Sequence, residues 1–168
     1  MKKMLSIAAA FVVACVMTGC ASAPSGPGWI VLIDGENGME NFTQLGTANW
    51  TAKNGAIQAD TKKTPEAGIL LSKQSFKDFD VYAEFWADDD ANSGIYIRVM
   101  NQNVFNKKAA YEIQIWDKSP AMATASLMPP AAASPVFRAA NVWNTFLITA
   151  RGPHMTVDMN GARAVDVN

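Results

Sequence analysis

From Trp29 onward, apolar and polar residues alternate in short runs, and no stretch keeps the 3.6-residue period of a helix. Trp29–Ile33 is the first run and ends at the turn pair Asp34-Gly35. Asn49–Ala52 and Ala56–Ala59 flank Asn54-Gly55, a dipeptide that suits a tight hairpin because both residues tolerate positive φ. Gly68–Ser72 reads as a short apolar strand. Asp80–Ala87 is a longer one, closed by the polar loop 88–94. Ile95–Met100, Tyr111–Trp116, Asn144–Ala150 and Met155–Met159 complete the set, with another tight turn at Asn160-Gly161. Many short strands separated by turn residues predict an antiparallel sandwich or barrel. Ser119–Ser134, rich in Ala, Met and Pro, reads as a long loop over one face of the sheet.

Side chains alternate between the two faces of a strand. Asp80–Ala87 therefore puts Val81, Ala83, Phe85 and Ala87 on one face and Asp80, Tyr82, Glu84 and Trp86 on the other. The next strand turns Ile95, Ile97 and Val99 inward and Tyr96 and Arg98 outward. Tyr111–Trp116 separates Tyr111, Ile113 and Ile115 from Glu112, Gln114 and Trp116. If the three strands are neighbours, their second faces merge into one surface of Tyr82, Glu84, Trp86, Tyr96, Arg98, Glu112, Gln114 and Trp116. Such a surface suits a sugar, whose C–H faces stack on aromatic rings while its hydroxyls bond to carboxylates, amides and guanidinium. The competing reading is a plain solvated sheet face, which antiparallel sandwiches always carry.

The N-terminus has a different pattern. Lys2 and Lys3 precede an apolar run from Met4 to Met17, then Thr18-Gly19-Cys20. Positive charge, a short apolar stretch and small residues before a cleavage point make an export signal. The run is too short for a permanent membrane span, which takes roughly 20 apolar residues. Cys20 sits where a lipobox cysteine is acylated. The expected organisation is a lipoprotein signal at 1–19, a flexible tether at 20–28 and one domain at 29–168. The expected location is the bacterial cell envelope, periplasmic or surface-exposed, with the membrane as a partner through the lipid on Cys20. Cys15 leaves with the signal, so the two cysteines form no disulfide.

Removing the signal leaves 149 of the 168 residues, enough for one domain with its own core. The 14 basic and 15 acidic residues become 12 and 15 once Lys2 and Lys3 leave, a net charge of −3. No basic cluster marks a nucleic-acid footprint, so DNA and RNA are set aside as partners. No cofactor motif is found. His154 is the only histidine and lies at a turn. Asp88-Asp89-Asp90 with Asn92 lacks the spacing of a known calcium loop and reads as a solvated turn, so no metal ligands are assigned.

Glu112-Ile-Gln114-Ile-Trp116-Asp117 carries the candidate chemistry. Alternation groups Glu112 with Gln114, and a β-bulge near Trp116 would bring Asp117 to the same side. Two carboxyl groups on one face are the minimum for glycosidic acid–base chemistry, with Glu84 a further candidate. A structural ion pair between Glu112 and Arg98 is the alternative.

Taken in order, these segments resemble a known family. They are Leu32–Gly35, Asn49-Trp50, Asn54–Ile57, Gly68–Leu71, Phe76–Phe79, Ala91–Ile95 with Arg98, Tyr111–Asp117, Val142–Asn144, and Asn160-Gly161 with Val165-Asp166. The sequence is similar to the 3-keto-disaccharide hydrolase domain family over about Trp29 to Asp166. The resemblance implies an all-β, antiparallel jelly-roll sandwich of the concanavalin A-like lectin/glucanase type. It also implies cleavage of 3-keto-glycosides or 3-keto-disaccharides by C2 proton abstraction and elimination. A non-catalytic carbohydrate-binding lipoprotein is the alternative function. Matching the family's Tyr-Glu-x-Gln motif carries over Glu112 and Gln114, and the strand after Asn-Ser-Gly carries over Arg98. On the predicted face, Glu112 is the base and Arg98 the charge stabiliser, with Glu84 beside them. Tyr82, Trp86, Tyr96, Gln114, Trp116 and Asp117 are the expected substrate-binding residues. Members continue past the Asn-Gly turn into a further strand, so a sandwich lacking its last strand or strands is expected. The Ser119–Ser134 loop also departs from the family, with Ala125-Ser126-Leu127 in place of a Gly-Ala-x-Tyr stretch.

Overall fold

The computed structural model describes residues 23–59, 68–100 and 109–168. The expected export signal, Cys20 and the start of the tether lie outside the described residues.

The described chain is built from antiparallel strands and one 3-10 turn at Met39–Asn41. The strands are β1 (Phe42–Leu45), β2 (Trp50–Lys53), β3 (Ala56–Ala59), β4 (Ile69–Ser72), β5 (Phe79–Trp86) and β6 (Ser93–Ile97). They continue with β7 (Tyr111–Ile115), β8 (Leu127–Met128), β9 (Trp143–Arg151), β10 (His154–Met159) and β11 (Ala162–Val167). The largest sheet runs β11-β10-β9-β5 and a second runs β6-β7-β8. β1 pairs with β4, and β2 with β3.

Period-2 patterning explains the packing. Along β9, Asn144, Phe146, Ile148 and Ala150 are buried, while Trp143, Leu147 and Arg151 are exposed. Met155, Val157 and Met159 of β10 are buried beside them. They share one core with Ile97, Ile113, Ile115 and Leu127 from the three-stranded sheet. The two sheets thus face each other across a single apolar layer, the all-β antiparallel sandwich that the sequence predicts. Phe85 of β5 stacks on Phe146 with ring centroids 4.5 Å apart.

Both predicted tight turns form. Asn54-Gly55 has φ of 56° and 75°, and Asn160-Gly161 has 51° and 79°. Positive φ at both central residues matches the right-handed twist of the flanking strands.

Four expectations need correction. Trp29–Ile33 is not a strand: a single bridge between Asp34 and Asn37 closes a turn there. Ile30 and Val31 are exposed at 55% and 70%. Apolar residues make a strand only when a partner supplies the ladder. Phe42–Leu45, Leu127–Met128 and Ala162–Val167 are strands that the pattern did not single out. Ser119–Ser134 is not merely a cover, because its middle, Thr124–Leu127, is fully buried and leads into β8. Backbone bonds of 2.9 Å join Gln114 N–H to Ser126 and Ala125 N–H to Gln114. Finally, β6 stops at Ile97, where Arg98 takes the left-handed region with φ 54° and ends the alternation.

Candidate active site

β7 is the middle strand of the three-stranded sheet. Ile113 and Ile115 enter the core, so Glu112 projects from the opposite face. Tyr96 of β6 and Met128 of β8 are its register partners on either side. Glu112 is half-buried between them.

The space for this carboxylate comes from Gly94, which pairs with Gln114. A Cβ at position 94 would lie 2.7 Å from Glu112 Oε1, 2.9 Å from Glu112 Cγ and 2.8 Å from the carbonyl oxygen of Ile113. Only a glycine leaves room for Glu112 to lie across β6 in this way. The Tyr96 hydroxyl is hydrogen-bonded to Glu112. Burial, and then the carboxylate of Glu112, push the Tyr96 phenol above its ordinary range. Tyr96 therefore stays protonated and donates to Glu112.

Arg98 lies two residues past Tyr96, beyond the end of β6. Its ion pair is with Asp78, at 4.0 Å. Asp78 also accepts a hydrogen bond from the Gly152 N–H at 2.9 Å, which ties this corner to the β9–β10 turn.

The expected single face divides in two. β5 pairs with β9 and belongs to the other sheet, so Tyr82, Glu84 and Trp86 do not join Glu112. Alternation holds within β5, but the condition that the three strands are neighbours is not met, because strand patterning fixes faces and not pairing. The Tyr82 hydroxyl donates to Glu84 Oε1 at 3.1 Å on this outer face. Trp86 stands in register with Trp143, and the two are 49% and 62% exposed.

Three further expectations change. Gln114 is only 4% exposed. Its side-chain oxygen accepts from the Ile115 N–H at 3.1 Å and its amide nitrogen lies 3.2 Å from Met128 Sδ, so it supports the sheet. Trp116 follows the end of β7 and is half-buried, with its N–H donated to Thr124 Oγ1 at 3.0 Å. Asp117 is not bulged onto the Glu112 face. It accepts bonds from Thr124 Oγ1 and from the N–H groups of Ala139 and Ala140, so it anchors loops. Burial pushes the Asp117 carboxyl up, but the bonds from Thr124, Ala140 and Ala139, with Arg138 nearby, outweigh it and hold it below the usual range.

In the 88–94 loop, Lys118 bridges Asp89 at 3.0 Å and Asp90 at 2.6 Å. Among the described residues, no group of three His, Cys, Asp or Glu side chains is arranged to hold a metal ion. His154 pairs with Asp166 at 2.7 Å on the outer sheet, where Arg163 also binds Asp166.

Sequence reasoning missed Gly94, Met128 and Trp143. Gly94 left no strand signal, because in the sequence it closes the polar loop 88–94 and only the structure places it inside β6. Met128 left none, because β8 is too short to show a period.

The two sheets define an antiparallel jelly-roll sandwich, and the Glu112–Tyr96 pair is its candidate acid–base centre. The chain belongs to the 3-keto-alpha-glucoside-1,2-lyase-like domain family, whose sequence profile matches residues 28–168, and this family is a carbohydrate-active one. Its fold is similar to a crystal structure from Parabacteroides distasonis ATCC 8503 of a protein provisionally assigned as a glycosyl hydrolase. The TM-score is 0.61 at 20% identity, over 76% of this chain and 66% of that one. The chain thus spans just under two thirds of that protein's length. Comparison with curated proteins gives no match.

Proposed function

We propose that the protein cleaves 3-keto-glycosides, with Glu112 as the base. A C3 ketone acidifies the C2 proton of the sugar. The Glu112 carboxylate takes that proton, and the electron pair passes into an enolate with its charge on the C3 oxygen. Reforming the C3 carbonyl makes the C1=C2 bond and breaks the bond from C1 to the departing oxygen, which takes the proton from Glu112 and leaves as a hydroxyl compound. Water then adds across C1=C2, with hydroxyl to C1 and hydrogen to C2, to give the free 3-keto sugar. Arg98 supplies positive charge for the enolate oxygen. The observation that carries this reading is Glu112 itself: a half-buried carboxylate, off the core face, held by Tyr96 and given its room by Gly94. Family membership supports the substrate class.

The test is release of the aglycone from a chromogenic 3-keto-glucoside by the purified protein. Glu112→Gln keeps the shape and removes the base, so the rate should fall by about 100-fold or more. Equal turnover by the variant rules out Glu112 as the base.

A second reading has its own observation, the exposed cross-strand pair Trp86 and Trp143. On this reading the outer sheet binds carbohydrate without chemistry, by stacking on the indoles beside Tyr82 and Glu84. It predicts sugar-dependent quenching of Trp fluorescence that is lost in Trp86→Ala. Residues 1–19 as an export signal and Cys20 as a lipid site, placing the protein in the bacterial cell envelope, belong to the same proposal.

A further inference from the structure

We infer that Tyr96 and Gly94 are positioning residues for Glu112, acting together from β6 to fix where its carboxylate lies. The inference rests on the reading of Glu112 as the base and adds what holds it ready. Two independent contacts converge on this one side chain. Gly94 supplies room, because any Cβ there would strike Oε1 and Cγ of Glu112 as well as the Ile113 carbonyl oxygen beside it. Tyr96, directly opposite Glu112 in register, supplies the hydrogen bond. Neither Ile95 nor Ile97 can do either, because both sit on the core side of β6.

The chemistry gives the arrangement a purpose. A general base must be ionised and aimed when substrate arrives. A phenol that donates to a carboxylate favours its ionised form. Tyr96 can donate throughout the working range because burial and the neighbouring carboxylate keep its own proton on. Tyr96 thus acts through Glu112 and needs no contact with the sugar, in contrast to the stacking role that alternation alone suggested for it.

Tyr96→Phe keeps the ring and deletes the donor. Carbon-13 titration of the Glu112 carboxyl should show its midpoint rise in this variant, because the ionised form loses a donor. In turnover of the 3-keto-glucoside, the acid limb of kcat/KM should move up by the same amount. The kcat should fall about tenfold with KM nearly unchanged. Gly94→Ala should lower kcat by roughly 10- to 100-fold through misplacement of the base. Coincident titration midpoints in wild type and Tyr96→Phe overturn the inference, even if the variant is less stable. A wild-type protein that leaves the 3-keto-glucoside intact overturns the reading of the site instead, while the titration still decides the positioning role.

Discussion

Glu112 and Asp117 lie five residues apart on one strand and its exit, yet they do different work. Glu112 faces out from β7 and accepts the hydroxyl of Tyr96. Asp117 spends its oxygens on Thr124 and on the backbone of Ala139 and Ala140. Its carboxyl is held below the usual range in the folded state, so the unfolded chain takes up a proton first as pH falls. The stabilisation from Asp117 is therefore full above the unfolded value of about 3.9 and is lost as pH drops through the lower folded value. Denaturant midpoints measured from pH 6 down to pH 2.5 should fall for the wild type. For Asp117→Asn they should start lower and change less over the acid range. The sequence made Glu112 legible, because alternation assigns a face to every residue of a strand. It could not separate Asp117 from Glu112, because the chain leaves the sheet after Ile115 and alternation stops there.

At the scale of elements, long strands and hairpin turns were readable and short or partner-dependent ones were not. β5, β7, β9 and β10 carry their pattern over enough residues to be recognised. β8 is two residues long and is a strand only because β7 offers it a ladder. Leu127 nevertheless has no exposure and packs in the common core. Leu127→Ala should cost about 2–5 kcal/mol, as a core truncation does, where a residue in a covering loop would cost about 0.5 kcal/mol or less. Phe146, fully buried against Phe85, should cost about 3–5 kcal/mol as Phe146→Ala. Chemical denaturation of the two variants checks both values. Gly94 shows the same lesson from the other side. The sequence places it at the end of a polar loop, and the side chain that needs the space comes from β7, its neighbour in the sheet.

The whole molecule is where reading from the sequence failed most usefully. Alternation separates the faces of β5 and, up to Ile97, of β6, but β5 lies in one sheet and β6 and β7 in the other. Pairing depends on contacts far apart in sequence, and nothing in the pattern of one strand names its neighbour. The result is two polar faces, Tyr96 with Glu112 on one sheet and Tyr82, Glu84, Trp86 and Trp143 on the other. This separation makes a prediction of its own. Trp86→Ala and Trp143→Ala should leave turnover of a small 3-keto-glucoside within about twofold of wild type, since surface changes away from a site perturb little. A loss comparable to that of Glu112→Gln would mean that the two faces act on one substrate.

The central step is one carboxylate taking one proton, and exchange of that proton reads it directly. Incubation of the purified protein with a 3-keto-glucoside in deuterated water, followed by NMR of the sugar product, should show deuterium at C2 together with release of the aglycone. Both signals should be lost in Glu112→Gln. Aglycone release with the original hydrogen still at C2, or the same exchange in the variant, would contradict abstraction of the C2 proton by Glu112.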